Sequence, residues 1–172
     1  TNDDWWPRMV MLKALTQHAE ATGDPRVAPF LERYFAHQRA NLPERPLSAW
    51  GRARGAENVL SVFWLHRRTG DPELLRLADR LMEQTLDWAT FFAEFPVRSK
   101  YTAGFGHLTH VVNVAMGVKE PALRYLRSGS RRHRAAVDDA LTNLDRYHGM
   151  ATGMFSGDEW LAGPDPRQGV EL

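Results

Sequence analysis

Three carboxylates stand toward the carboxyl end of this sequence: Asp158 and Glu159, followed directly by Trp160, and then Glu171. Paired acids can divide acid–base work, one carboxyl holding its proton while the other stays ionised. An apolar indole and a neighbouring like charge both favour the protonated form. Trp160 and Asp158 are therefore expected to raise the pKa of Glu159, making it the candidate proton donor. The spacing alone describes a capped, solvated turn equally well. Residues 147–172 carry no helical period and are punctuated by Gly149, Gly153, Gly157, Gly163 and Gly169, so the backbone can turn tightly and approach a ligand. A long irregular stretch with this aromatic and glycine content reads as a site loop rather than a disordered tail.

A second group lies upstream. Gly106, His110, Asn113 and Gly117 fall on one line if residues 106–117 are helical, by the i, i+3, i+4 rule. Two small residues would then flank a hydrogen-bonding pair facing a polar hollow. The competing reading is a histidine bonded to a neighbouring helix beside glycines that permit close packing. No second histidine stands four residues from His110, so a metal site on this helix alone is not expected. Glu57, just before Asn58, reads first as a carboxylate complementing a helix N-terminus and second as a polyol ligand. Trp5, Trp6, Trp50 and Trp160 fall in or near long connections, where aromatic faces can stack on sugar C–H surfaces. Rim packing is the plainer reading for at least two of them.

The elements that must position these residues are helices. Pro7–Ala21 reads as a first helix, stopped by Thr22-Gly23-Asp24-Pro25. Gly suits the left-handed position past a helix end, Asp caps the next helix and Pro begins it. A second helix follows with Val27, Phe30, Leu31, Tyr34 and Phe35 at one-face spacing. After a connection over residues 41–54, a third helix carries Val59, Leu60, Phe63 and Trp64. Thr69-Gly70-Asp71-Pro72 then repeats the earlier turn word for word. A fourth helix is expected to run to about Phe92 and to bury Trp88. A second connection spans 94–106. The fifth helix is expected to kink or break near Pro121, and Ser128-Gly129-Ser130 is a weaker copy of the turn before the sixth. Repeated hairpins of this length stack side by side, because one alone cannot bury its apolar face. No stretch alternates at period two, so no substantial sheet is expected. The long connections should share one rim, opposite the short turns.

Composition narrows the function. The 172 residues carry a net charge of +1 and are 43% hydrophobic, which suits a soluble globular domain and argues against a polyanion partner. Lys13, Lys100 and Lys119 are the only lysines, and the arginines are scattered among acids rather than gathered on one face. Nucleic acid and membrane are not expected partners. No signal peptide is visible, and the compartment is left open. There are no cysteines, hence no disulfide framework or thiol chemistry within these residues. Thr1 and Leu172 both read as cuts in a longer chain.

Trp5-Trp6-Pro7-Arg8-Met9-Val10, Glu57-Asn58, Thr69-Gly70-Asp71, His110–Met116 with Lys119-Glu120-Pro121, Tyr147-His148-Gly149-Met150, Ser156-Gly157-Asp158-Glu159 and Gly169-Val170-Glu171-Leu172 together resemble the β-L-arabinofuranosidase family of glycoside hydrolases. The likeness covers nearly the whole chain. It implies an all-α fold in which residues 1–172 form about three hairpins, half of an (α/α)6 toroid. It implies removal of terminal L-arabinofuranose with retention, through a zinc-bound cysteine thiolate and a glutamate acid/base. By that resemblance Glu159 is the acid/base and Glu171 a zinc ligand. His110, Asn113, Trp50, Asp158 and His148 are the substrate-binding candidates. Zinc is expected in the intact parent and not in this piece, where one glutamate cannot hold it. The piece alone is accordingly expected to be inactive, with self-association through exposed barrel edges. The alternative is a non-catalytic helical-repeat module whose concave face binds a partner.

Overall fold

The computed structural model describes residues 4–167 and the backbone of Val170–Glu171. The chain is all-α apart from one small sheet near its end. It divides into two compact units, the first ending at Thr85 and the second beginning at Leu86.

In the first unit, helices α1 (Trp6–Thr22) and α2 (Val27–Asn41) form one hairpin, and α4 (Gly55–Thr69) with α5 (Pro72–Gln84) form another. A five-residue helix, α3 (Ala49–Ala53), lies within the connection between them. Trp5, Met9 and Leu12 from the first hairpin, and Val62, Leu65 and Leu77 from the second, are all buried. Burying each such side chain contributes roughly 1.5–3 kcal/mol.

The expected turns are built alike. Gly23 and Gly70 close α1 and α4 at φ 69° and 70°, with no atom within 4 Å of where a Cβ would sit. Glycine is therefore required there by conformation rather than by space. The hydroxyl of Thr22 donates to the His18 carbonyl, and that of Thr69 to the Leu65 carbonyl, each one helical turn back. The same hydroxyls accept from the amides of Asp24 and Asp71. Those aspartates accept in turn from Arg26 and Glu73, two residues on. The weaker copy at Ser128-Gly129-Ser130 repeats the pattern: Ser128 donates to the Arg124 carbonyl and accepts from the Ser130 amide, with Gly129 at φ 66°.

The second unit opens with α6 (Trp88–Glu94), a helix separate from α5. The expected single helix to Phe92 is broken because Thr85 turns extended and Asp87 caps a new start, accepting from the Thr90 amide. Trp88 is buried as expected, but on α6, where it stacks on Phe92 at 5.6 Å between ring centroids. The fifth helix breaks near Pro121, as expected, into α7 (Val111–Gly117) and α8 (Lys119–Ser128), parted at Val118. Then comes α9 (Arg131–His148). Its Ala140 and Leu144 join Trp88, Phe91, Phe92, Phe95 and Val114 in one aromatic core. A Cβ on Gly117 would lie 2.4 Å from the Trp88 ring, so glycine lets α7 seat on that indole.

Three short strands follow: β1 (Ser156–Asp158), β2 (Trp160–Leu161) and β3 (Val170–Glu171). They form an antiparallel sheet in the order β2-β1-β3, with Asp158 opposite Trp160 and Ser156 opposite Glu171. The site loop is thus partly a sheet, contrary to the expectation of irregular chain. Strands of two and three residues are too short for alternation to register in sequence.

Candidate functional site

The β1–β2 hairpin is hydrogen-bonded onto the start of α7. The Val111 amide donates to the Glu159 carbonyl at 2.9 Å, and the Leu161 amide to the Thr109 carbonyl at 3.0 Å, so His110 and Trp160 face each other as a bridge. The Tyr101 amide donates to the Leu161 carbonyl at 2.8 Å. Within the second unit, the connection before α7 and the chain after α9 therefore lie along one edge, as the hairpin repeat predicts. Gly157 is required by close approach: a Cβ there would come within 2.3 Å of the Trp160 carbonyl.

Glu159 is the hairpin's apex. Asp158 and Trp160 pair directly across it, which leaves one residue to reverse the chain, at φ 74°. A positive φ in a non-glycine residue carries strain of about 1–2 kcal/mol. Its side chain is exposed. Asp158 is paired with Lys100, Nζ to Oδ2 at 2.6 Å, with its side chain only 13% exposed. The charge expected to act on Glu159 is thus engaged by a lysine from the neighbouring connection.

Asp158 and Trp160 line a cavity of about 360 Å3 together with Lys100, Tyr101, Thr102 and Arg167. The indole N–H of Trp160 is buried and meets no acceptor among the described residues. A larger hollow, about 670 Å3, shares Lys100, Tyr101 and Thr102 as a common wall and is otherwise mostly apolar, with Phe91, Val97 and Leu108. Lys100, Tyr101 and Arg167 were not legible in the sequence, because each lies in irregular chain where no period marks an inward face.

The polar line on a helix does not form. The helix begins only at Val111, and His110 is its N-cap, with extended backbone and Nδ1 accepting from the Asn113 amide at 3.4 Å. Asn113 is fully buried, and its Nδ2 donates to the His107 carbonyl at 3.0 Å. Gly106 lies in the preceding turn, and its carbonyl accepts from the amides of Thr109 and His110. His110 and Asn113 thus close the α7 N-terminus and hold the preceding loop against it.

His148 takes a structural place. Its ring is fully buried and is the last residue of α9. The Gly163 amide donates to Nδ1 at 2.9 Å, which fixes the proton on Nε2, and Nε2 donates to the Val97 carbonyl at 2.8 Å. Both nitrogens are spent on backbone, so this ring ties two connections to α9 and is not placed to meet a sugar. Burial holds its pKa below the ordinary imidazole value, opposed by the bond to Val97.

Trp50 belongs to the first unit, on α3. The Arg54 guanidinium stacks over its ring at 4.7 Å and over Trp6 at 4.2 Å. Trp5 is buried, with its indole N–H donating to the Arg45 carbonyl at 2.7 Å. Glu57 is buried on α4, with Lys13 at 3.4 Å, which is closer to its structural reading than to a rim ligand.

The implied zinc does not fit what is described. Glu171 is described by its backbone alone, so its side chain as a metal ligand lies outside the described residues. Among those residues no group of three His, Cys, Asp or Glu side chains gathers to hold a metal ion, and the sequence supplies no thiol. Zinc sites use about four ligands. Among the described residues no helix is long and apolar enough to cross a membrane.

One family model matches the chain: the β-L-arabinofuranosidase, GH127 catalytic domain, over residues 2–166. No curated protein and no solved structure matches it.

Proposed function

Since the chain belongs to the GH127 β-L-arabinofuranosidase catalytic-domain family, we propose that it forms the acid/base side of a retaining glycosidase whose ligand is a terminal pentofuranose. In this reading the second unit contributes part of an (α/α)6 toroid, and its long connections make the sugar-binding edge. The observation that carries the proposal is the fastening of the Asp158-Glu159-Trp160 hairpin to the N-terminus of α7, beside a cavity of about 360 Å3 with two aromatic walls. That volume suits a single sugar ring. Tyr101 and Trp160 offer faces to its C–H surface, and the Lys100–Asp158 pair offers a polar edge to its hydroxyls. Glu159 sits on a turn that its backbone must be forced into, the kind of place where strain accompanies function.

Glu159 would deliver a proton to the departing glycosidic oxygen and recover it from water in the second half of the cycle. The thiolate nucleophile implied by the resemblance is absent from these residues. The 172 residues alone are therefore expected to bind without turnover. The test is Glu159→Gln in the full-length protein, assayed on an aryl β-L-arabinofuranoside. General acid–base catalysis contributes about 10²–10⁴-fold, so kcat should fall by that order while KM changes little. Unchanged kcat would remove Glu159 from the reaction.

A further inference from the structure

Lys100, Tyr101 and Thr102 form a shared wall. They line the cavity of about 360 Å3 and also the hollow of about 670 Å3 beside it. A glycoside is two bodies joined at one oxygen. With its sugar ring in the smaller cavity, the group attached to that ring crosses the shared wall and enters the larger hollow. The lining of the hollow therefore selects the aglycone.

That lining is apolar where it meets the core. Phe91 and Val97 are buried in the core of the second unit, and Leu86, Tyr101 and Leu108 pack partly buried against the same core. Most of the polar side chains around the hollow are engaged with other groups. Lys100 is paired with Asp158, and the Arg98 guanidinium lies over the Tyr147 ring at 5.7 Å. His107 meets the Phe105 ring edge-on at 4.7 Å, and the Thr109 hydroxyl donates to the Gly106 carbonyl at 3.1 Å. A second sugar would bring several hydroxyls to this apolar surface, and each one buried without a partner is costly. A flat aromatic ring brings none. It covers the apolar surface and meets Phe91 and Tyr101 in the edge or offset contacts that aromatic pairs favour.

We propose that the hollow is an aglycone site for an aromatic alcohol, so that the glycoside bound here is an aryl glycoside, with Tyr101 standing between the sugar and the aromatic ring. The inference rests on the carbohydrate reading above and names what the sugar is attached to.

Thio-linked glycosides resist hydrolysis, so calorimetric titration of the full-length protein with them reads binding alone. Methyl and 2-naphthyl 1-thio-β-L-arabinofuranoside share the sugar and differ in the aglycone. The naphthyl compound should bind about tenfold more tightly, because it buries apolar surface that the methyl compound lacks. Ala103→Glu sets a carboxylate in the lining of the hollow at an exposed position, where folding is not at risk. Leu108→Ala removes part of the apolar wall. Both should bring the ratio toward one and leave the affinity for the methyl compound unchanged. A ratio near one in the wild type, or a preference that survives both variants, overturns the aglycone inference and leaves the carbohydrate reading standing. Equal tightening by a thio-linked disaccharide, with glucose in place of the naphthyl group, makes the hollow a second sugar site and overturns it too. If 2-naphthol alone binds as tightly as its glycoside, the hollow is an apolar site unconnected to the sugar cavity, and the inference is likewise overturned. If neither glycoside binds, both readings fall.

Discussion

Glu120 should make the stability of this protein depend on pH in an unusual direction. It lies in the first turn of α8, is 1% exposed, and pairs with the Arg124 guanidinium one turn on. Its second oxygen meets no partner among the described residues. Burial pushes its pKa up to about 7, against the opposing pull of Arg124 and with a small push from Asp87. Below the ordinary carboxylate value of 4.5, both folded and unfolded chains hold the proton, and Glu120 costs nothing. Between 4.5 and about 7 the unfolded chain releases the proton while the folded chain keeps it. Stability from this group is therefore lost as pH rises through that window, and the loss is complete above it. A shift from 4.5 to about 7, at 1.36 kcal/mol per unit, corresponds to about 3 kcal/mol. Other groups titrate in the same range, so the useful quantity is a difference. Glu120→Gln keeps the shape and removes the titration. Urea unfolding of both proteins, followed by tryptophan fluorescence from pH 4.5 to 8, should show the variant gaining about 3 kcal/mol on the wild type across the window. A pH-independent difference would refute the reasoning and mean that Glu120 is ionised in the fold at pH 5.

Other substitutions test the positioning of the site. Gly117→Ala places a methyl 2.4 Å from the Trp88 ring and should destabilise the second unit by about 1–3 kcal/mol, read as a lowered urea midpoint. Gly70→Ala meets no atom but must hold φ 70°, so about 1 kcal/mol is expected from backbone strain alone. Glu159→Gly relieves φ 74° and should raise stability by about 1 kcal/mol while abolishing turnover of the full-length protein, separating strain from chemistry. His148→Ala strands the Val97 carbonyl and the Gly163 amide and should cost roughly 3 kcal/mol. Because burial lowers the His148 pKa, its contribution is full above the ordinary value of 6.5 and is lost as pH falls below it. The stability difference between the wild type and His148→Ala should therefore shrink as pH falls along that limb.

The hairpin repeat was legible because its turns are chemical. Thr, Gly, Asp and Pro each have one reason to stand where they do, and the two Thr-Gly-Asp-Pro turns form the same hydrogen bonds. Helix faces were legible through period at Leu31, Phe35, Leu74 and Leu77, which are buried, but not at Phe30 and Leu60, which the same spacing places on those faces and which are exposed. The misses share a different cause. Nothing local announces that Thr85 leaves the helix, or that α7 starts one residue after His110 rather than several before. Those boundaries are decided by where the chain must go next. His148 looked like a candidate ligand because its partners, Val97 and Gly163, are distant in sequence and donate or accept through backbone alone. The pairing of Asp158 with Lys100 spans 58 residues and has the same character. Helices encode themselves locally, whereas a site assembled from connections is written in contacts that sequence spacing does not record.

In the function proposed above, the hairpin on α7 and the loop around Tyr101 form one sugar-binding cavity. The Trp160 indole N–H, buried and without an acceptor among the described residues, is its natural reporter. In a 15N-labelled sample titrated with methyl β-L-arabinofuranoside, a saturable shift of the Trp160 indole resonance is expected, with the Trp88 indole unmoved in its core. Binding that leaves Trp160 unshifted would contradict it.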